Sequence, residues 1–277
     1  MTTQDANSSN GSSGNTASFS FTNGRRYHNE PNCPYPLPND LNEIDRLDLQ
    51  HYAVQQVTHK RYHAPLDNPR RSLDIGAGTG VWLMEMATDF PECEFTGVDI
   101  APLQPTTVLP SNCTFEIGNA LEGLSHPDGY FDYVRHSLLV AAIPKDKWQP
   151  YVKECARLCA SGGWVEMTEF NCKVQAGGPA MAKLSELLSV LDKLMHEAGL
   201  VDIKVSEFRL PLGSWGGAAG VLFKKDSRLL QTTLAPLYVK LHGMTLEETE
   251  KLIQESEDEM ESRQAYATLR VFVGRKP

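Results

Sequence analysis

Apolar positions along this chain fall into two kinds of pattern, helical spacing and short continuous runs, and the two take turns. Residues 40–63 hold a helical pattern through Leu41, Ile44, Leu47, Tyr52, Val54 and Val57, and Pro65 and Pro69 close it. The run Ser72-Leu73-Asp74-Ile75 then leads into glycines at every second position, Gly76, Gly78 and Gly80. Leu83, Met86, Ala87 and Phe90 return to helical spacing. Strands are predicted at 93–100, 113–117 and 131–135, followed by a helix over 146–160 that buries Trp148, Tyr151, Val152, Cys155 and Cys159. Gly162-Gly163 turn the chain into a strand at 164–170. The next amphipathic helix carries Met181, Leu184, Leu187, Leu188, Leu191, Leu194, Met195 and Ala198, with Gly199 just past its end. Strands at 201–210 and 268–273 complete the series. Strands alternating with helices predict an α/β fold built on a doubly wound, Rossmann-like parallel sheet. The segment 213–265, Gly-rich and then helical, is too long for a hairpin connection and is expected as a lid-like insertion before the last strand.

The ends of the chain and its composition narrow the class. Residues 1–24 are mostly Ser, Asn, Gly and Thr, which predicts a disordered tail. Residues 25–40, rich in Pro, Asn and Tyr, read as an extended arm ahead of the first helix, so that 25–63 form an N-terminal helical arm. No linker-like stretch interrupts the middle, and 25–277 are expected to form a single domain. A net charge of −9 argues against a sequence-independent nucleic-acid surface. No run is long enough for a membrane span and no signal pattern opens the chain, so the expected setting is cytoplasmic, with neither membrane nor nucleic acid as partner. The six cysteines form no CxxC pair, and Cys155 and Cys159 read as reduced core residues. His59 and His63 share i, i+4 spacing, but no third ligand is spaced to join them, and no metal site is expected.

In a doubly wound sheet, ligands bind beyond the carboxyl ends of the strands. The loop Gly76-Ala77-Gly78-Thr79-Gly80 lies there, and its glycines permit a tight turn and a close approach to a ligand. Its GxGxG spacing differs from the GxGxxG of dinucleotide folds. Asp74 would repel a pyrophosphate but suits a cationic amino-acid moiety. Asp99, followed by Ile100, lies 19 residues past Gly80, where a carboxylate can accept ribose hydroxyls. Asn119-Ala120 end the next strand, where class I methyltransferases, whose glycine loop this one resembles, usually place an acidic residue against the adenine amino group. Asn can still accept that bond through its carbonyl oxygen. Arg135 and His136 follow the strand after it. His136 is a candidate general base, or else a histidine that bonds a cofactor or a backbone carbonyl. Trp82 either packs the start of its helix or touches the cofactor.

Asp-x-Gly-x-Gly-x-Gly resembles motif I of the class I S-adenosylmethionine (SAM) methyltransferases. The stretch Glu43-Ile44-Asp45-Arg46-Leu47-Asp48-Leu49-Gln50-His51, the pair Val81-Trp82, Gly97-Val98-Asp99-Ile100, Gly162-Gly163-Trp164-Val165-Glu166 and Gly274-Arg275-Lys276-Pro277 extend the likeness over 25–277. Together they resemble the fungal family that includes the Lae-type regulators of secondary metabolism and small-molecule methyltransferases of the same pathways. The resemblance implies SAM as cofactor and S-adenosylhomocysteine as product. It implies a hydrophobic small-molecule acceptor methylated at sulfur, in a dithiol such as reduced gliotoxin, or at oxygen. Arg-His-Ser-Leu stands where enzymes that methylate base or amide nitrogens commonly carry Asn/Asp-Pro-Pro-aromatic, which reduces the odds of nucleic-acid or glutamine substrates. Tyr27 becomes a candidate to fold over the cofactor, with Trp215 and Phe223 as aromatic walls for the acceptor. The competing functions are a Lae-type regulator acting through protein partners and a nicotinamide oxidoreductase, the latter opposed by the glycine spacing and by Asp74.

Overall fold

The structure, a computed structural model, describes residues 19–104, 108–171 and 190–277. It opens on a hairpin of β1 (Phe19–Thr22) and β2 (Arg25–His28). This corrects the expectation of a disordered tail to residue 24; residues 1–18 lie outside the described residues. The turn is Asn23-Gly24, both with positive φ (50° and 74°), the backbone that a two-residue hairpin loop requires. Arg26 lies 4.6 Å from the centroid of the Phe19 ring.

Helix α1 (Leu41–Thr58) is capped by Asp40, whose side chain accepts the Glu43 N–H. It ends at His59 in a left-handed conformation, four residues short of the predicted His63. The elements β3 (Arg71–Ile75), α2 (Val81–Asp89), β4 (Glu94–Asp99) and β5 (Cys113–Ile117) follow as the hydrophobic pattern indicated. Strand β6 (Phe131–Ser137) runs two residues beyond the predicted end. Helix α3 (Trp148–Leu158) hands the chain to β7 (Cys159–Asn171). Of the next predicted helix, the described part is α4 (Leu191–Glu197), and the positions up to 189 lie outside the described residues. Gly199 stands just past its C-terminus, at φ 84°, and donates to the His196 carbonyl while Leu200 reaches back to that of Met195. Strand β8 (Val201–Pro211), helices α5 (Gly217–His242) and α6 (Leu246–Ser262), and β9 (Tyr266–Arg275) complete the chain.

One seven-stranded sheet has the order β5-β4-β3-β6-β7-β9-β8. Strands β3 to β7 pair in parallel, and β9 runs antiparallel between β7 and β8. Hydrophobic side chains cover both faces. On one, Val134, Val165 and Met167 pack with Trp148, Val152 and Met195 of α3 and α4. On the other, Phe95, Tyr133 and Val271 pack with Leu83 and Met86 of α2 and Phe223 of α5.

The insertion is a pair of helices, and α5 lies along α1. A buried ionic cluster joins the two. Arg46 donates to Glu43 at 2.6 Å and to Asp226 of α5 at 2.7 Å, and Gln50 donates to the other Asp226 oxygen at 3.0 Å. Arg25 adds a clasp, pairing with Asp40 at 2.5 Å and reaching Thr233 at 3.3 Å.

Candidate active site

The sheet changes direction of winding beside β3, and the loop after that strand is fixed from both sides. Gly76 and Ala77 donate to the Val98 carbonyl of β4 at 2.8 and 3.1 Å, and the Thr79 hydroxyl donates to Asp48 of α1 at 2.6 Å. The loop glycines at 76, 78 and 80 all have positive φ. A Cβ at Gly80 would stand 2.4 Å from the Phe115 ring, whereas one at Gly78 would meet only Leu47, at 3.9 Å, so the loop presents bare backbone to the space in front of it.

That space is a cleft of about 440 Å³. Asp99, at the end of β4, accepts the Gly78 N–H at 2.8 Å and the Ala101 N–H at 3.0 Å, and burial pushes its carboxyl upward against these bonds. Its remaining lone pairs are free to accept ribose hydroxyls. The Asn119 carbonyl oxygen, expected to face an adenine, instead accepts the Leu121 N–H at 3.0 Å. Its Nδ2 is buried and unpartnered, so the free group is a donor and suits an acceptor nitrogen of the adenine ring. Ile100 and Ala120 line the same end of the cleft.

Asp74 and Arg135 sit side by side on β3 and β6 and are joined at 2.6 Å. Burial raises the Asp74 carboxyl and Arg135 opposes that shift. The guanidinium lies 4.0 Å over the Trp82 ring, and its Nε is buried without a partner. Trp82 both packs, donating to the Arg61 carbonyl at 2.6 Å, and lines the cleft. A guanidinium beside a carboxylate is a donor and acceptor set that could hold a zwitterionic amino-acid group, and Asp99 and Asn119 are a set that could hold a nucleoside.

Several expectations are corrected. Because β6 continues through Ser137, Arg135 and His136 point to opposite faces of the sheet. His136 is buried and absent from the cleft lining; its Nδ1 faces the Tyr151 hydroxyl at 2.9 Å and its Nε2 lies 3.3 Å from Glu169. Tyr27 does not line the cleft; from the arm, His28, Cys33 and Tyr35 do. Trp215 is exposed and Phe223 is buried in the core, and the α5 residues that reach the cleft are Leu230 and Leu234. His59 is exposed, and among the described residues no cluster of His, Cys, Asp or Glu could hold a metal ion.

Sequence reasoning also passed over Arg46, Gln50 and His51, which line the cleft from α1. Their signal was present, since Leu47, Gln50, His51 and Val54 share one helical stripe with polar members among the apolar ones.

A methyltransferase-domain family model matches residues 73–163. The protein-methionine methyltransferase laeA of Emericella nidulans is 26% identical over 291 residues, covering 94% of this chain and 77% of that protein. The methyltransferase pytC of Aspergillus terreus is 31% identical over 222 residues, covering 71% of this chain and 67% of that one. The chain belongs to the Lae-type family of class I SAM-dependent methyltransferases. This methyltransferase is therefore an enzyme whose cofactor is SAM. Its fold matches that of the SAM complex of Haemonchus contortus phosphoethanolamine N-methyltransferase 2 with a TM-score of 0.51 and 16% identity. That match covers 84% of this chain but about half, 52%, of the nematode enzyme. Among the described residues no helix is long and apolar enough to cross a membrane.

Proposed function

We propose that this methyltransferase moves the methyl group of SAM to sulfur or oxygen of a small apolar metabolite, with a dithiol such as reduced gliotoxin as the expected class. The observation that carries the reading is the lining of the cleft beyond the cofactor donors. Leu47, Val54, Leu139, Val140, Leu230 and Leu234 make it predominantly apolar, which suits a hydrophobic ring system. In this reading the Gly76–Gly80 loop and the Asp74–Arg135 pair receive the amino-acid end of the cofactor. Asp99 with Ile100 receives the ribose, and Asn119 with Ala120 the adenine.

Bound SAM supplies an already activated methyl group, so the protein's task is to hold an acceptor atom in line with it and to remove a proton. His28, Cys33 and Tyr35 of the arm and Leu230 and Leu234 of α5 line the cleft together. The test is calorimetric titration with SAM and S-adenosylhomocysteine, followed by a panel of thiols, dithiols and phenols read by mass shift. Micromolar cofactor binding with a gain of one or two methyl groups on a thiol or phenol is the expected result. Cofactor binding with transfer only to amines or to protein would overturn the acceptor assignment.

A further inference from the structure

The stretch from Glu43 to His51 contains one group that the ionic cluster and the cofactor donors leave unused. His51 projects from α1 into the cleft, and its Nε2 lies 3.0 Å from Glu85 Oε2 of α2. The same oxygen accepts Arg61 Nε at 3.0 Å and faces the Gln55 amide at 3.5 Å. The oxygen that already accepts from the guanidinium accepts again here, so the Nε2 nitrogen carries the hydrogen and Nδ1 carries the lone pair. Nδ1 has no hydrogen-bond partner among the described residues and is not among their sealed, unpartnered atoms. We propose that His51, oriented by Glu85, takes the proton from the acceptor's thiol or hydroxyl.

The proposal rests on the methyl-transfer reading above and adds the missing proton acceptor to it. As the acceptor's sulfur or oxygen bonds to the methyl carbon, its proton passes to Nδ1, and the sulfonium carbon–sulfur bond breaks with its electron pair staying on that sulfur. The resulting imidazolium is held across Nε2–H by Glu85 and gives its proton to water when the product leaves.

The charged groups around the ring are compatible with this role. Glu85 on α2 and Asp48 on α1 favour the imidazolium, while Arg135 on β6 opposes it, and Arg61 is occupied by Glu85 and Asp89. Asp74 on β3 feels the ring as a positive neighbour, and the Tyr52 ring stands edge-on at 5.1 Å. Burial outweighs the favourable charges and lowers the ring below the ordinary histidine range, so it is neutral at pH 7 and free to accept. His136 is buried and does not line the cleft, so it has no access to the acceptor.

Three measurements on the full chain test the assignment. Nitrogen-15 NMR of the histidine rings should find His51 neutral at pH 7 with hydrogen on Nε2. Calorimetry with S-adenosylhomocysteine should give His51→Asn an affinity within about threefold of the parent. Methyl transfer to benzyl mercaptan, which is protonated at neutral pH, should fall on the order of a hundredfold in His51→Asn, with loss of the acidic limb of its pH profile. The fall should be much smaller for 4-nitrothiophenol, which is already ionised. Equal losses for both thiols, or an Nδ1–H ring, would overturn the role. Failure of the parent to methylate either thiol while binding S-adenosylhomocysteine would instead sink the acceptor class, and the ring tautomer would then decide His51 alone.

Discussion

Asp99 holds two backbone N–H groups from different loops as well as facing the cleft, so one carboxylate ties the glycine loop to the turn after β4. Asp99→Ala leaves those donors unpaired and removes the expected ribose acceptor. Calorimetry should show SAM binding weaker by about 1–3 kcal/mol. Gly80→Ala forces a Cβ against the Phe115 ring at a φ of 76°, and a denaturant melt should show a loss of at least about 1–2 kcal/mol. Both positions were legible in the sequence, because they follow from where a strand ends and where backbone must come close. His136 was not. Its placement turned on where β6 stops, and two further residues of strand sent it to the other face. His51 was legible only as a polar member of the Leu47–Gln50–His51–Val54 stripe, a signal that places it on the cleft side of α1 without giving it a role.

At the scale of elements, the N-terminal arm and the insertion are fastened to one another rather than to the sheet alone. Arg46 is buried between Glu43 and Asp226, so Asp226→Ala deprives it of one partner and frees α5 from α1. The expected cost is about 3–5 kcal/mol in a denaturant melt, with new protease cleavage inside α5 or α6. The hydrophobic pattern predicted a helical insertion but could not assign its partner, since the contact is made by polar residues, Glu43, Arg46 and Gln50 of α1 with the distant Asp226 of α5. The β1–β2 hairpin was equally written in the chain, in Phe19, Phe21 and the Asn23-Gly24 turn, and a reading by composition ran over it. Gly24→Ala places a side chain at φ 74° with open space around it, and exchange of the amides of β1 and β2 should speed up by roughly tenfold, or about 1 kcal/mol.

For the molecule as a whole, two half-buried imidazoles link stability to pH. Burial holds His51 and His63 below the ordinary value of about 6.5. The unfolded chain therefore takes up protons first, and the stability these groups contribute is complete above that value and declines as pH falls through it. Replacing both by Asn should flatten the fall in melting temperature between about pH 7 and 5 relative to the parent. The position of β9 has a kinetic counterpart. Strand β8 pairs only with β9, and β9 reaches β7 across the whole of residues 172–265. Strands β3 to β7 can zip up early, whereas β8 waits for the slow closure that brings β9 in. The connection drawn tight by that closure is the α5–α6 pair itself. Pulse-labelled refolding should show amides of β8, β9 and α5 gaining protection in one late phase, so the step that finishes the sheet also lowers the roof.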